Sequence, residues 1–147
     1  MKSLLHPKSV EYAGLWRRAV ASILDILLYI IIAYPVQRAV YGPQYLEREM
    51  RSFVAGPIGF AIIYIVPAVA TIILWRYKRA TPGKMLTSLQ VVDFKTGESL
   101  SIKQSCIRYA SYYLSILPLG LGYFWILINK DKRTWHDLLS GSAVVKL

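Results

Sequence analysis

The sequence is poor in the residues that build most metal and redox sites. It contains one cysteine, Cys106, and two histidines, His6 and His136, among 147 residues. A single cysteine excludes an intrachain disulfide and a cysteine-rich metal site. Two histidines are too few for a histidine-rich metal site. We therefore expect no bound metal and no cofactor.

The sequence also lacks the short motifs that mark common enzymes. It has no H-E-x-x-H zinc motif, no serine elbow and no glycine-rich dinucleotide loop. We therefore expect no enzymatic activity. His136 and Asp137 are adjacent in the chain, and neighbours on a helix do not face each other. We expect Asp137 to cap a helix or to pair with a base rather than to form a catalytic dyad.

Acidic residues are scarce: eight Asp and Glu stand against eighteen Lys and Arg, for a net charge of +10. In a soluble protein this excess of positive charge would suggest a nucleic-acid partner. Here the basic residues cluster beside apolar segments, where they set membrane topology and meet anionic lipids. We therefore expect no nucleic-acid partner. The expected partners are the lipid bilayer and anionic lipids on its cytoplasmic face.

Apolar residues are abundant, at 55% of the chain, and the mean hydropathy is +0.40. Three apolar segments cover residues 16–36, 54–75 and 107–128, and about 20 helical residues are enough to cross a bilayer. The sequence predicts one all-α integral membrane domain over residues 1–147. It would have two full transmembrane helices and a third, broken or re-entrant apolar helix.

The third apolar segment differs from the other two because its residues 118–122 are P-L-G-L-G. Proline removes a helical hydrogen bond and glycine adds backbone freedom, so the helix should break there. Broken backbone at membrane depth has to be buried in protein or face water. We favour a re-entrant element over a third plain span, which stays the alternative.

The charge distribution predicts the topology. The basic N-terminal tail and the connector 76–106 should lie in the cytoplasm, and the connector 37–53 outside. A re-entrant third element returns the basic tail 129–147 to the cytoplasm. The first fifteen residues lack an apolar signal region, so we expect the first span to be kept as an anchor. The predicted location is the inner (cytoplasmic) membrane, multi-pass, with a cytoplasmic N-terminus.

The cytoplasmic segments predict a small β element. Residues 89–100 resemble a hairpin around a Thr-Gly turn, and residues 141–147 form a short strand that could pair with it. Thr81 before Pro82 is a helix start, and Ser101 with Gln104 forms a capping box. Aromatic residues near the span ends are expected at the membrane interface, namely Trp16, Trp75, Tyr77 and Trp135.

Asp25 is the only charge between residues 19 and 36. A carboxylate at this depth is costly, roughly 2.5–3.5 kcal/mol on insertion scales, so it is normally paired, hydrated or functional. Arg18 lies two helical turns away, about 10 Å along the axis, so a base from another segment is the better partner, either Arg108 or Lys84. Two interpretations stay open, a structural buried acid and an ion or proton site.

The order of several short motifs resembles the RDD family of small bacterial membrane proteins, named for one arginine and two aspartates. The motifs are AGLWRR at 13–18 leading to Asp25, TPGKML at 81–86 leading to VVD at 91–93, PLGLG at 118–122, and WHDLLSG at 135–141. The family's arginine corresponds to Arg17 or Arg18 and its mid-helix aspartate to Asp25. Its second aspartate corresponds to Asp137, with Asp93 as the lesser candidate.

The resemblance implies a role in transport, with proton or monovalent-cation exchange suggested for some members. Under this interpretation Asp25 and Asp137 are the predicted ion- or proton-binding acids. The predicted electrostatic partners are Arg17, Arg18, Arg108 and Lys84. Two or three spans do not easily enclose a path, so we expect a homo-oligomer. The competing hypothesis is a structural or accessory membrane module that binds a partner protein or anionic lipid.

Overall fold

The computed structural model describes residues 11–44 and 56–147. The tail lysines Lys2 and Lys8, most of the predicted connector 37–53 and the first two residues of the predicted span 54–75 lie outside the described residues. The described residues form a mostly helical protein with two long apolar helices, a bent helix pair and a small sheet.

Two helices are long and apolar enough to cross a membrane, as predicted. Helix α1 spans Leu15–Tyr41 and helix α2 spans Gly56–Tyr77. In the middle of α2, Ala61–Ile65 widens into a π-helical turn just before Pro67. Proline has no N–H to donate to the preceding turn, and the hydroxyl of Tyr29 in α1 lies 3.5 Å from the carbonyl oxygens of Ile62 and Ile63. The wide turn thus faces α1.

The third apolar segment is broken, as predicted. Helix α4 spans Ile102–Ile116 and helix α5 spans Leu121–Leu127, and the two are bent by 109° relative to each other. Gly120 between them has φ +78°, a left-handed conformation that glycine adopts without steric strain. A Cβ on Gly122 would lie 2.6 Å from the Cα of Ser115. The two arms pack so closely that only glycine fits there.

Two short helices and two strands complete the fold. Helix α3 spans Pro82–Leu86 and helix α6 spans Trp135–Ser140. Strand β1, Leu89–Asp93, pairs antiparallel with strand β2, Ser142–Lys146, with Leu89 opposite Lys146 and Asp93 opposite Ser142. The predicted C-terminal strand and the Ser101 capping box are confirmed.

The predicted hairpin over residues 89–100 is wrong in its second arm. After Asp93 the chain turns back through two backbone hydrogen bonds, from the Asp93 N–H to the Glu98 carbonyl and from the Gly97 N–H to the Asp93 carbonyl, and no second strand follows among the described residues. The Asp93 carboxylate accepts hydrogen bonds from the N–H groups of Lys95 and Thr96 and from the Gln104 side chain. These hydrogen bonds stabilise a tight turn after β1. Strand β1 therefore pairs with β2 and not with the residues that directly follow it.

The sheet gathers three distant parts of the chain on one side of the bundle. Ala13, just before α1, donates its N–H to the Val144 carbonyl of β2 at 2.9 Å. Strand β1 precedes the bent pair and β2 follows it, yet the two strands are hydrogen-bonded. Both ends of the bent pair therefore lie next to the sheet, and the pair is either a sharply broken span or a re-entrant loop.

The buried core lies next to this sheet, where the helices meet it. Trp75 is fully buried there, so its predicted interfacial position is wrong. Its ring lies 5.2 Å from the Arg108 guanidinium, a cation–π contact. The remaining members of the core cluster are Ala13, Ala21, Leu89, Val91, Leu100 and Val144.

Candidate functional site

Asp137 is the centre of a buried charge cluster at the sheet end of the bundle. It lies at the third position of α6, where the N–H of Thr134 donates to its Oδ2 at 3.0 Å. A carboxylate in the first turn of a helix offsets the unpaired N–H groups there. Its side chain is fully buried. The prediction that Asp137 caps a helix is confirmed.

Two arginines from different helices hold the Asp137 carboxylate. Arg18 of α1 donates from Nη1 to Oδ2 at 2.5 Å, and Arg108 of α4 donates from Nη1 to Oδ1. Arg18 also donates to the carbonyl oxygens of Ala13 at 3.1 Å and Lys132 at 2.7 Å. The cluster therefore ties α1, α4 and α6 together through one buried acid.

The two guanidinium groups fix the charge of Asp137. Burial alone would raise its pKa, but the positive charges of Arg18 and Arg108 outweigh burial and hold the pKa of Asp137 well below its usual range. Asp137 is therefore ionised at neutral pH. Its two arginine partners keep this charged carboxylate in contact with α1 and α4.

His136 lies against this cluster and is neutral. Its ring nitrogens are 2.8 Å from the Thr134 hydroxyl and 3.3 Å from the Ser115 hydroxyl. Burial, reinforced by the charge of Arg108, lowers the pKa of His136 well below its usual value. The pair His136–Asp137 thus combines a neutral ring with a charged carboxylate.

Asp25 forms a separate site on α1. Its Oδ2 accepts a hydrogen bond from the Thr81 hydroxyl at 2.5 Å, and its Oδ1 accepts one from the N–H of Gly83 at 2.7 Å. Thr81 is at the predicted helix start before Pro82. Its hydroxyl bonds to Asp25 rather than capping its own helix, so Asp25 supplies the cap of α3 from another segment.

Gly83 makes this approach possible. A Cβ at this position would lie 2.0 Å from the Ala21 carbonyl oxygen and 2.9 Å from the Asp25 carboxylate carbon. Real Cβ atoms do not approach backbone so closely, so α3 contacts α1 through a side-chain-free position. The T-P-G-K turn therefore packs directly against α1.

The predicted basic partners of Asp25 pair elsewhere. Arg18 and Arg108 bind Asp137, and Arg17 is exposed. Lys84 is buried, but its ammonium reaches only the Thr81 hydroxyl, at 3.5 Å. Among residues 11–44 and 56–147, Asp25 has no ion-pair partner. The predicted pairing was wrong because hydrogen-bond donors, not charges, meet this carboxylate.

A cavity of about 650 Å³ lies between α1, α2 and α4, beside Asp25. Most of its wall is apolar, with polar groups near Asp25 that include Ser22, Thr81 and Lys84. Tyrosines from α1, α4 and α5 also line it. Asp25 is thus a half-buried acid that borders open space at the level of the apolar helices.

The described part of the chain contains no group of three or more His, Cys, Asp and Glu side chains that could hold a metal ion. Asp93, the lesser candidate for the second family aspartate, is the last residue of β1, and its carboxylate binds the turn that follows. It belongs to neither acid site. The ion pair forms between Arg18 and Asp137. Arg17 and Asp93 take no part in it.

Sequence reasoning missed several polar residues of the two sites. The sequence predicts only a helix start at Thr81, and it shows Arg133 only as one charge of the basic tail 129–147. Arg133 donates to the carbonyl oxygens of Ser142 at 3.0 Å and Asp137 at 3.2 Å. The Thr134-x-x-Asp137 spacing is the signal that indicates the α6 cap from sequence.

Comparison with known proteins identifies the family. The sequence profile of the RDD family matches residues 12–141. The uncharacterised protein YxaI of Bacillus subtilis (strain 168) is 27% identical over 147 residues, covering 90% of this chain and 96% of YxaI. The uncharacterised protein RP437 of Rickettsia prowazekii (strain Madrid E) is 31% identical over 87 residues, covering 59% of this chain but only 48% of RP437. No solved structure matches. The chain belongs to the RDD family of membrane proteins.

Proposed function

We propose that this protein has a transport role in which an oligomer exchanges protons for monovalent cations, with Asp25 as the ion-binding acid. The observation that carries the proposal is the position of Asp25. It is a carboxylate on an apolar helix, it borders a cavity between helices, and it has no ion-pair partner among the described residues. Acids in transmembrane helices typically mark ion and proton pathways.

The chemistry of exchange needs only one carboxylate that alternately holds a proton or a cation. Asp25 and the Thr81 hydroxyl offer neighbouring oxygen atoms, which are the ligands that hard cations prefer. The buried ammonium of Lys84 borders the same cavity. Its positive charge would weaken cation binding at Asp25, which favours release over permanent retention.

Asp137 has a different role in this proposal. Its two arginine partners and its lowered pKa oppose the loading of a proton near neutral pH. We therefore assign Asp137 to positioning α1, α4 and α6, and we keep only Asp25 as the ion-binding acid.

A complete path needs more than one copy of the chain. Two crossing helices and one re-entrant pair expose many large apolar side chains, such as Ile31, Ile58 and Leu119. A homo-oligomer would enclose the Asp25 cavity between copies. The basic residues of the sheet side favour a cytoplasmic orientation of that side in the inner membrane, next to anionic lipids.

The second candidate function is a structural or accessory membrane module that binds a partner protein or anionic lipid. Both acids have hydrogen-bond partners within the fold, which is what packing alone requires. Neither candidate function needs a catalytic group, so we propose that the protein is not an enzyme.

Proteoliposome flux separates the two functions. We expect sodium- or potassium-driven proton flux in the wild type and none in Asp25→Asn. An asparagine keeps an oxygen for the Gly83 N–H and a polar group for Thr81, so the fold should persist. Asp131→Asn, a matched change on a loop, should keep full flux. Absence of flux in the wild type across both cations and several pH values would favour the accessory module.

A further inference from the structure

A second cavity, of about 300 Å³, lies beside the Asp137 cluster. Its wall includes three basic side chains, Arg18, Arg108 and Lys84, all of them at least nine-tenths buried. The neutral polar residues of its wall are Ser22, Tyr112, Tyr123, Thr134 and His136. Within residues 11–44 and 56–147, no acidic side chain lines this cavity.

The positive charge around this cavity exceeds the negative charge that the fold supplies. Among the described residues Asp137 is the one carboxylate bound to the arginines, and Asp25, which accepts hydrogen bonds from Thr81 and Gly83, is the second negative charge near Lys84 but forms no ion pair with it. Lys84 makes no ion pair with any residue that the structure describes, and its ammonium has one long hydrogen bond. Of the residues outside the described ranges, 1–10 contain no acidic side chain and 45–55 contain Glu47 and Glu49.

Arg108 adds a second unsatisfied group. Its Nη1 binds Asp137 and the Ser142 hydroxyl, at 2.5 Å for the latter. Its Nε is buried and has no hydrogen-bond partner within the described chain. A buried charged donor without a partner is destabilising, so native proteins normally provide an acceptor, a water or a ligand.

We propose that this cavity binds a phosphate-type oxyanion between Lys84 and the two arginines. An oxyanion supplies several acceptor oxygens and negative charge, which suits a planar guanidinium and a compact ammonium together. A cation would meet three like charges, and an apolar ligand would leave the donors unpaired. The oxyanion is either a free phosphate or the phosphate of a lipid headgroup.

The site goes beyond the proposed transport role and does not depend on it. Asp25 borders the larger cavity, whereas the anion would lie in the smaller one, and Lys84 borders both. Flux and anion binding are measured separately, so failure of one leaves the other testable.

The test uses three lysine variants of the full chain. Lys84→Gln removes the free charge without touching the Asp137 ion pairs, and Lys84→Arg restores a positive group. Lys95→Gln removes the same charge from an exposed turn and is the matched control. Binding of inorganic phosphate is measured by titration calorimetry in neutral detergent at constant ionic strength. Retention of phosphatidylglycerol against phosphatidylcholine is measured in parallel by native mass spectrometry.

We expect the wild type and Lys95→Gln to bind alike, Lys84→Gln to bind at least about tenfold more weakly, and Lys84→Arg to recover most of the affinity. Binding of inorganic phosphate would identify a free anion, and selective retention of phosphatidylglycerol alone would identify a lipid headgroup. The proposal is overturned if the wild type binds neither probe. It is also overturned if Lys84→Gln and Lys95→Gln bind equally. If Lys84→Gln does not fold, loss of binding in folded Lys84→Arg would overturn it as well.

Discussion

Arg18 and Asp137 lie 119 positions apart in the sequence, and their side chains form a 2.5 Å ion pair in the interior of the protein. The pair joins the second turn of the first long helix to the last short helix. Arg108 of α4 binds the other carboxylate oxygen. One acid thus fixes the relative positions of three helices that are far apart in the chain.

Loss of one arginine should therefore destabilise the protein strongly. Arg18→Met leaves the Asp137 carboxylate with a single cationic partner, and breaking a buried pair typically costs about 3–5 kcal/mol. Arg17→Met is the matched control, because Arg17 is exposed and surface changes stay within about 0.5 kcal/mol. Unfolding in detergent by increasing denaturant measures both. Equal stability of the two variants would contradict a structural role for the pair.

A side chain at position 83 should separate α3 from α1. The Cβ of Gly83→Ala would meet the Ala21 carbonyl oxygen at 2.0 Å, and overpacking of this kind costs about 1–3 kcal/mol or more. Gly14→Ala has no atom within 4 Å of its Cβ and serves as the control. We expect a clear drop in melting temperature for Gly83→Ala only. A normal melting temperature would mean that α3 does not dock on α1 in this way.

Stability should fall as the pH drops below about 6.5. The pKa of His136 is lowered well below 6.5 in the folded protein by burial and then by the charge of Arg108. Below pH 6.5 the unfolded chain binds a proton that the folded protein does not. The free energy of unfolding should therefore decrease by up to about 1.4 kcal/mol per pH unit towards pH 5.

Unfolding at several pH values between 7 and 5 tests this dependence. In His136→Gln the free energy of unfolding should no longer fall between pH 7 and pH 5, whatever the absolute stability of that variant. A slope unchanged by the substitution would assign the titration to another group.

The long apolar segments could be predicted because their hydrophobicity is continuous and independent of tertiary contacts. The break at residues 118–122 was also predictable, since Pro118 and Gly120 act on the local backbone. The second arm of the β1 hairpin was not, because the Asp93 carboxylate binds the following turn and leaves β2 as the partner.

The residues of the sites could be predicted but their pairing could not. Asp25, Arg18 and Asp137 stand out as charges within or beside apolar segments. Which of them meet depends on how α1, α4 and α6 pack, and periodicity within one helix does not determine that packing. Asp25 meets the N–H of a glycine 58 positions away, and neutral donors of this kind give no charge signal in the sequence.

We propose that α4 and α5 form a re-entrant element, which predicts that both flanking segments are accessible from one side of the membrane. Cys106 is exposed near the start of α4, and Leu147→Cys in a Cys106→Ser background adds a label at the chain end. A membrane-impermeant maleimide should reach both from the same side. Pro43→Cys, beyond the other end of α1, should react from the opposite side. Labelling of Cys106 and residue 147 from opposite sides would mean that the bent pair crosses.

The central claim is that Asp25 carries ions while Asp137 holds the fold, and paired measurement of flux and stability in Asp25→Asn and Asp137→Asn tests it most directly. We expect Asp25→Asn to melt close to the wild type and to lose cation-driven proton flux. We expect Asp137→Asn to melt at a much lower temperature, because two buried arginines lose their common charge partner. Full flux in a stable Asp25→Asn protein would contradict the account.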